Sequence, residues 1–198
     1  MTLSALTRDE AHVYRVGGSE FVSVTQAIRE TGLMGDTSFY TEQARDRGTA
    51  VHAMVEYYDQ GDLDEATLDP ALAGYLDAYR RFLVDYEPAW QLIEAQRADT
   101  TLRYAGTVDR AGRLKGVKHP VVLDVKSGSP EAWHAIQLSA YKHLVAAELG
   151  AALIARYALY LSPDGSYRLV PLPLADGPDW QMFCASLAIA QWKRRFLK

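Results

Sequence analysis

With 198 residues, 48% of them hydrophobic and 23% charged, the chain can bury a sizeable core and reads as one domain over residues 1–198. A lone cysteine, Cys184, excludes a disulfide framework and any cysteine-bound zinc or iron–sulfur centre built from this chain alone. No basic stretch followed by an apolar leader opens the sequence, and no run approaches the roughly 18 apolar residues that span a bilayer, so the expectation is a cytoplasmic protein without membrane contact.

The net charge of −4 is unevenly spread. Residues 1–100 hold 8 Lys and Arg against 18 Asp and Glu, and residues 101–198 hold 13 against 7, giving nets of −10 and +6. A locally basic surface on an acidic chain is the kind of surface a phosphate backbone attracts. The acidic run "YYDQGDLDEATLD" reads as a solvated loop.

In chain order, residues 1–89 are mainly helical. "SVTQAIRETG" offers Ser23 or Thr25 as N-cap and stops at Gly32. "TEQARDRGTAVHAMVEYYDQG" carries Ala44, Val51, Met54, Val55 and Tyr58 at helical spacing and stops at Gly61. "PALAGYLDAYRRFLVDYEP" repeats the pattern, with Leu72, Tyr75, Leu76, Tyr79, Phe82 and Leu83 along one stripe. From residue 90 the period changes. "WQLIEAQ", "RYAGTVDR", "PVVLDVKS", "ARYALYLS" and "SYRLVPL" are short β-type runs, and "SPDGS" is a hairpin turn. Between the third and fourth runs, "SPEAWHAIQLSAYKHLVAAELG" predicts a helix with Ser129 as N-cap, Pro130 at its first position and Gly150 at its end. A last helix follows in "DWQMFCASLAIAQWKRRFLK". The order predicts an α/β fold, a mixed central sheet flanked by helices with a helical N-terminal region and a sheet-containing core over 90–198.

The strand "VVLDVKSG" carries an oddity. Side chains alternate along a strand, so Val121, Leu123 and Val125 face one way while Val122, Asp124 and Lys126 face the other. A carboxylate and an ammonium thus share one face near a strand end. Alone, such a pair is an ordinary surface ion pair worth about 0 to 1 kcal/mol. Asp109 closes the preceding strand in "YAGTVDR", and neighbouring strands would bring it beside Asp124. Two carboxylates in one dry site repel each other, and a divalent cation relieves the repulsion. Upstream, Gly48, His52 and Glu56 lie on one helical face. Gly48 costs its helix about 1 kcal/mol relative to Ala, which predicts a close approach there. Downstream, His134, Gln137 and Tyr141 share a face of the helix after the Asp-x-Lys strand.

The ordered set G-x-x-x-H, G-x-x-D, D-x-K-x-G and Q-x-x-x-Y, carried by Gly48, His52, Gly106, Asp109, Asp124, Lys126, Gly128, Gln137 and Tyr141, resembles the PD-(D/E)xK nuclease superfamily, specifically its RecB-like branch of phage and bacterial exonucleases. The resemblance spans roughly residues 20 to 170. It departs at Leu123, where the eponymous proline would stand, and in lacking the cysteines of the iron–sulfur members. It implies a restriction-endonuclease-like fold and a metal-dependent nuclease hydrolysing DNA, an exonuclease of phage or bacterial recombination or repair. Mg2+ or Mn2+ would be held by His52, Asp109, Asp124 and the carbonyl of Val125, with Glu94 as a second-tier site residue. Lys126 would orient the attacking water or neutralise developing charge, and Gln137 and Tyr141 would position substrate. Single- or double-stranded DNA is the implied partner, together with a phage or bacterial recombination protein.

Arg103, Arg110, Arg113, Lys115 and Lys118 are candidates for backbone contacts, or simply solubilise the loop around them. Two other readings stand beside the exonuclease: a structure-selective endonuclease, and a non-catalytic DNA-binding scaffold on the same fold. A zinc hydrolase built on "HAMVE" lacks the H-E-x-x-H spacing.

Overall fold

The computed structural model describes residues 6–9, 13–35 and 42–197. Three short strands open it: β1 (Leu6–Arg8), β2 (Tyr14–Val16) and β3 (Ser19–Ser23). The sequence reading did not anticipate them, because runs of three to five residues carry too little alternation to stand out. Helix α1 (Val24–Glu30) starts on Ser23, whose hydroxyl accepts from the Gln26 N–H while the Gln26 side chain accepts from the Ser23 N–H. Helices α2 (Glu42–Gln60) and α3 (Ala73–Tyr86) follow, joined by 3-10 turns at Glu65–Thr67 and Pro70–Leu72 that Asp64 and Asp69 cap.

Strands β4 (Ala89–Asp99), β5 (Tyr104–Arg113) and β6 (Val121–Lys126) come next, then α4 (Trp133–Leu149), β7 (Ala155–Leu161), β8 (Tyr167–Pro171) and α5 (Gly177–Phe196). The start of α4 differs from the expectation at Ser129 and Pro130. There the chain is without regular structure; a turn follows, in which the His134 N–H donates to the Glu131 carbonyl at 3.1 Å, and the helix begins at Trp133 without a side-chain cap.

The sheet is mixed. β3 runs parallel to β5 and β6 parallel to β7, while the other pairs are antiparallel. β5 is its hub. β4 pairs with it from Tyr104 to Arg113 along one edge. Its other edge is shared: β3 takes Tyr104 and Ala105, and β6 takes Arg110 to Gly112. Residues 106–109 pair with neither, so the sheet is split between β3 and β6.

Both faces are covered, giving three layers. Val122, Ala158 and Tyr160 pack with Val24, Ala27 and Ile28 of α1, Leu138, Ala140 and Val145 of α4, and Phe183, Leu187 and Ala190 of α5. On the other face Val121, Leu123, Val125, Leu159 and Leu161 meet Val51, Met54 and Val55 of α2 and Tyr75, Leu76, Tyr79 and Phe82 of α3. The alternation along β6 therefore separates its apolar residues as expected. No helix among the described residues is long and apolar enough to cross a membrane.

Candidate active site

The split in the sheet is where the polar side chains gather. Arg110 pairs with Leu123 across the β5–β6 ladder, so the next step in register would set Asp109 opposite Asp124. The ladder stops there. Instead of a backbone carbonyl, the Asp109 carboxylate accepts the Val125 N–H at 2.8 Å. Because the N–H and C=O of one strand residue lie on the same edge, the Val125 carbonyl points towards the same gap.

On the other side of β5, Ile93 pairs with Arg110 and Ala95 with Val108, which sets Glu94 opposite Asp109. Glu94 adopts φ +44°, a left-handed backbone that is uncommon for a residue with a side chain. Three adjacent strands thus align Glu94, Asp109 and Asp124 in one row. From α2, His52 brings Nδ1 to 3.3 Å from the Asp109 carboxylate. Donor atoms of His52, Glu94 and Asp109 all lie within 4.8 Å of one another.

In the row, burial outweighs the neighbouring cations. Burial, with Asp109 and Glu56 nearby, pushes the Glu94 carboxyl up to about 8, against the pull of Arg110. Asp124 is 1% exposed, and burial raises it too, opposed by Lys126 and reinforced by Asp109. A hard dication with oxygen and imidazole donors would relieve this crowding, and the donor set fits Mg2+ or Mn2+ better than a soft metal.

Lys126 pairs with Asp124 and donates to the Gln137 side-chain oxygen at 3.0 Å. Gln137 in turn donates to the Tyr141 hydroxyl at 3.0 Å. The relay Asp124–Lys126–Gln137–Tyr141 therefore joins β6 to α4. Trp133 faces the Lys126 ammonium, 5.3 Å from ring centre to Nζ. His134 is held neutral, its pKa pulled down to about 4 by burial and by Lys126, and its Nδ1 lies 2.8 Å from the Tyr160 hydroxyl.

The glycines divide differently from the expectation. A Cβ on Gly48 would have Ser127 Oγ as its nearest neighbour, at an ordinary 3.8 Å, so no described residue makes the close approach predicted there. The close approach is at Gly106, where a Cβ would lie 2.8 Å from the Tyr141 ring. The absent side chain lets α4 lie against β5.

Arg110 is a correction. The sequence suggested a phosphate contact, but the side chain is fully buried and already neutralised. It donates to Asp59 at 2.6 Å, to Glu94 at 3.1 Å and to the Asp109 carbonyl at 2.7 Å, while Tyr79 donates to the same Asp59 oxygen at 2.6 Å. This brace ties α2 and α3 to the back of the carboxylate row. Asp59 escaped the sequence reading, although it follows His52 by seven residues on the same helical face, the spacing that could have found it. Of the other cations, Lys115 pairs with Glu87. Arg113, Lys115 and Lys118 lie at the opposite end of β6 from Lys126, about 17 Å away at ~3.3 Å per strand residue. Arg103 is at the near end of β5, its guanidinium 5.2 Å from the centre of the Phe21 ring.

No family model and no curated protein matches the sequence. Among solved structures, the chain is similar to a protein of Eubacterium rectale whose assignment as an exonuclease is provisional, at 12% identity over 87% of this chain and 79% of that one, with a TM-score of 0.56. It is also similar, more loosely, to the alkaline exonuclease LHK-Exo of Laribacter hongkongensis, at 12% identity over 88% of this chain and 92% of that one, with a TM-score of 0.40. The Eubacterium rectale likeness establishes a shared fold, a central mixed sheet flanked by helices.

Proposed function

We propose that the chain is a divalent-metal-dependent nuclease that hydrolyses phosphodiester bonds in DNA, working as an exonuclease in phage or bacterial recombination or repair. One observation carries this reading: His52, Glu94 and Asp109 bring donor atoms within 4.8 Å of one another, beside the strand that carries the Asp124–Lys126 pair. The fold shared with the Eubacterium rectale protein, itself provisionally assigned as an exonuclease, supports it.

His52, Glu94, Asp109, Asp124 and the Val125 carbonyl would hold Mg2+ or Mn2+. Such an ion, when bound, lowers the pKa of a coordinated water and polarises a phosphate oxygen. The chain supplies the rest. Lys126, held between Asp124 and Gln137, presents a cation where charge develops on the phosphate. Gln137 fixes the lysine, and Tyr141, whose hydroxyl burial keeps protonated, fixes Gln137. Arg110 holds Glu94 towards the row from behind. Trp133 covers one side of the ammonium and limits water around it.

The test uses end-labelled linear DNA and a closed circle, with Mg2+ or with EDTA. Loss of the linear form alone, abolished by EDTA and by Lys126→Ala, is the expected result. Nicking of the circle would turn the reading to an endonuclease. Inertness of the folded protein towards both would leave a DNA-binding scaffold.

A further inference from the structure

We propose that α5 is a self-association surface, on which a second copy of this chain lays its own α5 antiparallel. The inner side of the helix, Phe183, Ser186, Leu187 and Ala190, is buried in the core. Its outer side is apolar as well. Met182, Ile189, Trp192 and Phe196 are 45%, 46%, 55% and 56% exposed. With the exposed Ala185 they occupy positions 182, 185, 189, 192 and 196, alternating steps of three and four that form a continuous seam. A helix apolar on both sides is built to be covered on both.

The seam complements itself. About a two-fold axis between Ala190 and Gln191, the antiparallel alignment sets Phe196 over the small Ala185 of the second copy and Trp192 against its Ile189. Phe196 meets a small side chain and Trp192 a branched one, and the opposed helix dipoles attract. At about 200 Å² for a large side chain, the exposed parts of those four residues supply about 400 Å² per copy. The pair therefore buries roughly 800 Å² before Ala185, Ala188 and Leu197 are counted, which brings it towards the ~1,200 Å² lower bound of specific interfaces and to a reversible dimer.

Charge separates this occupant from a nucleic acid. Lys193 is spent on the Glu30 carbonyl at 2.5 Å, and Arg194 on Glu20 at 3.0 Å and Gln26 at 2.9 Å. Among the described residues of α5, Arg195 is the cation left at the seam, its guanidinium 5.0 Å from the centre of the Phe196 ring. A phosphate strand needs several such cations.

The test is mass in solution across a concentration series reaching about 100 µM, read by light scattering on the 198-residue chain. The mass is expected to rise from one chain to two. Ile189→Asp and Ala185→Trp, both at exposed positions, should hold it at one chain with thermal unfolding unchanged, while Gln181→Ala on the rim leaves the dimer intact. A wild-type chain that stays single throughout, or a dimer indifferent to Ile189→Asp, overturns the proposal. So does a single-stranded oligonucleotide that binds a single chain and is lost with Trp192→Glu, which would assign the face to nucleic acid.

Discussion

Two buried polar clusters of this protein have opposite electrostatics. In the split of the sheet, Glu94, Asp109 and Asp124 crowd together, and both Glu94 and Asp124 are raised above the ordinary carboxylate range. Between α4 and α5, Asp176 is lowered despite its burial, because Ser139 and Lys142 each donate to it at 2.7 Å. Nearby, Arg156 is fully buried, pairs with Asp179 at 2.8 Å and donates to the carbonyls of Ala135 and Pro173. The second cluster is a strut whose charges are answered from within the chain. In the first, burial outweighs the cations Arg110 and Lys126 that pair with Glu94 and Asp124, a cost that makes sense where a further cation is to be received.

The sharpest way to break the contrast is Asp124→Asn. Cleavage should fall by about 10³-fold, and Mg2+ binding measured by calorimetry should weaken sharply. The metal-free protein should be no less stable in thermal unfolding, because burial of the charge is the largest influence on Asp124 and an amide does not carry that penalty. Next comes Arg110→Met, which strands Asp59 and Glu94 without their cation. Urea unfolding should show a loss of about 3–5 kcal/mol, the usual penalty for breaking a buried pair. Asp176→Ala should cost less, about 1.5–3 kcal/mol for lost charge-assisted hydrogen bonds, with cleavage per folded molecule unchanged.

The pH dependence separates the two clusters by sign. Glu94 is raised from 4.5 to about 8 in the folded chain, so the folded state binds the extra proton between those values, and the stability of EDTA-treated protein should fall as pH rises through that window. Glu94→Gln should flatten the slope, read as a weaker dependence of the melting temperature on pH between about pH 5 and about pH 8. Asp176 works in the other direction: its stabilisation is complete above its unfolded value of 3.8 and disappears as pH falls through its lowered folded value.

Much of this was legible in the sequence. β5 and β6 announce themselves as short β-type runs bounded by turn residues, and Asp124 with Lys126 by sharing one face of an otherwise apolar strand. The meeting of Lys126, Gln137 and Tyr141 follows from a strand end handing over to a helix with polar residues four apart. The alignment of Glu94 with Asp109 and Asp124 depends on register and on the left-handed backbone at Glu94, which no local pattern reveals. Arg110 was misjudged because an arginine beside a turn reads as a surface residue, and its partners Asp59 and Glu94 are 51 and 16 residues away. The start of α4 was misplaced because Ser129 and Pro130 have the chemistry of a helix opening while the chain leaves them in an irregular segment before the helix.

Gly106 sets a tolerance for the whole arrangement. The Tyr141 ring occupies the room where a methyl would stand, so β5 and α4 are spaced by the thickness of an aromatic ring. An alanine at 106 would act as a wedge, levering the helix outward and slackening its grip on the lysine. One missing carbon, three positions from the nearest carboxylate, thus works as the shim that keeps the lysine seated.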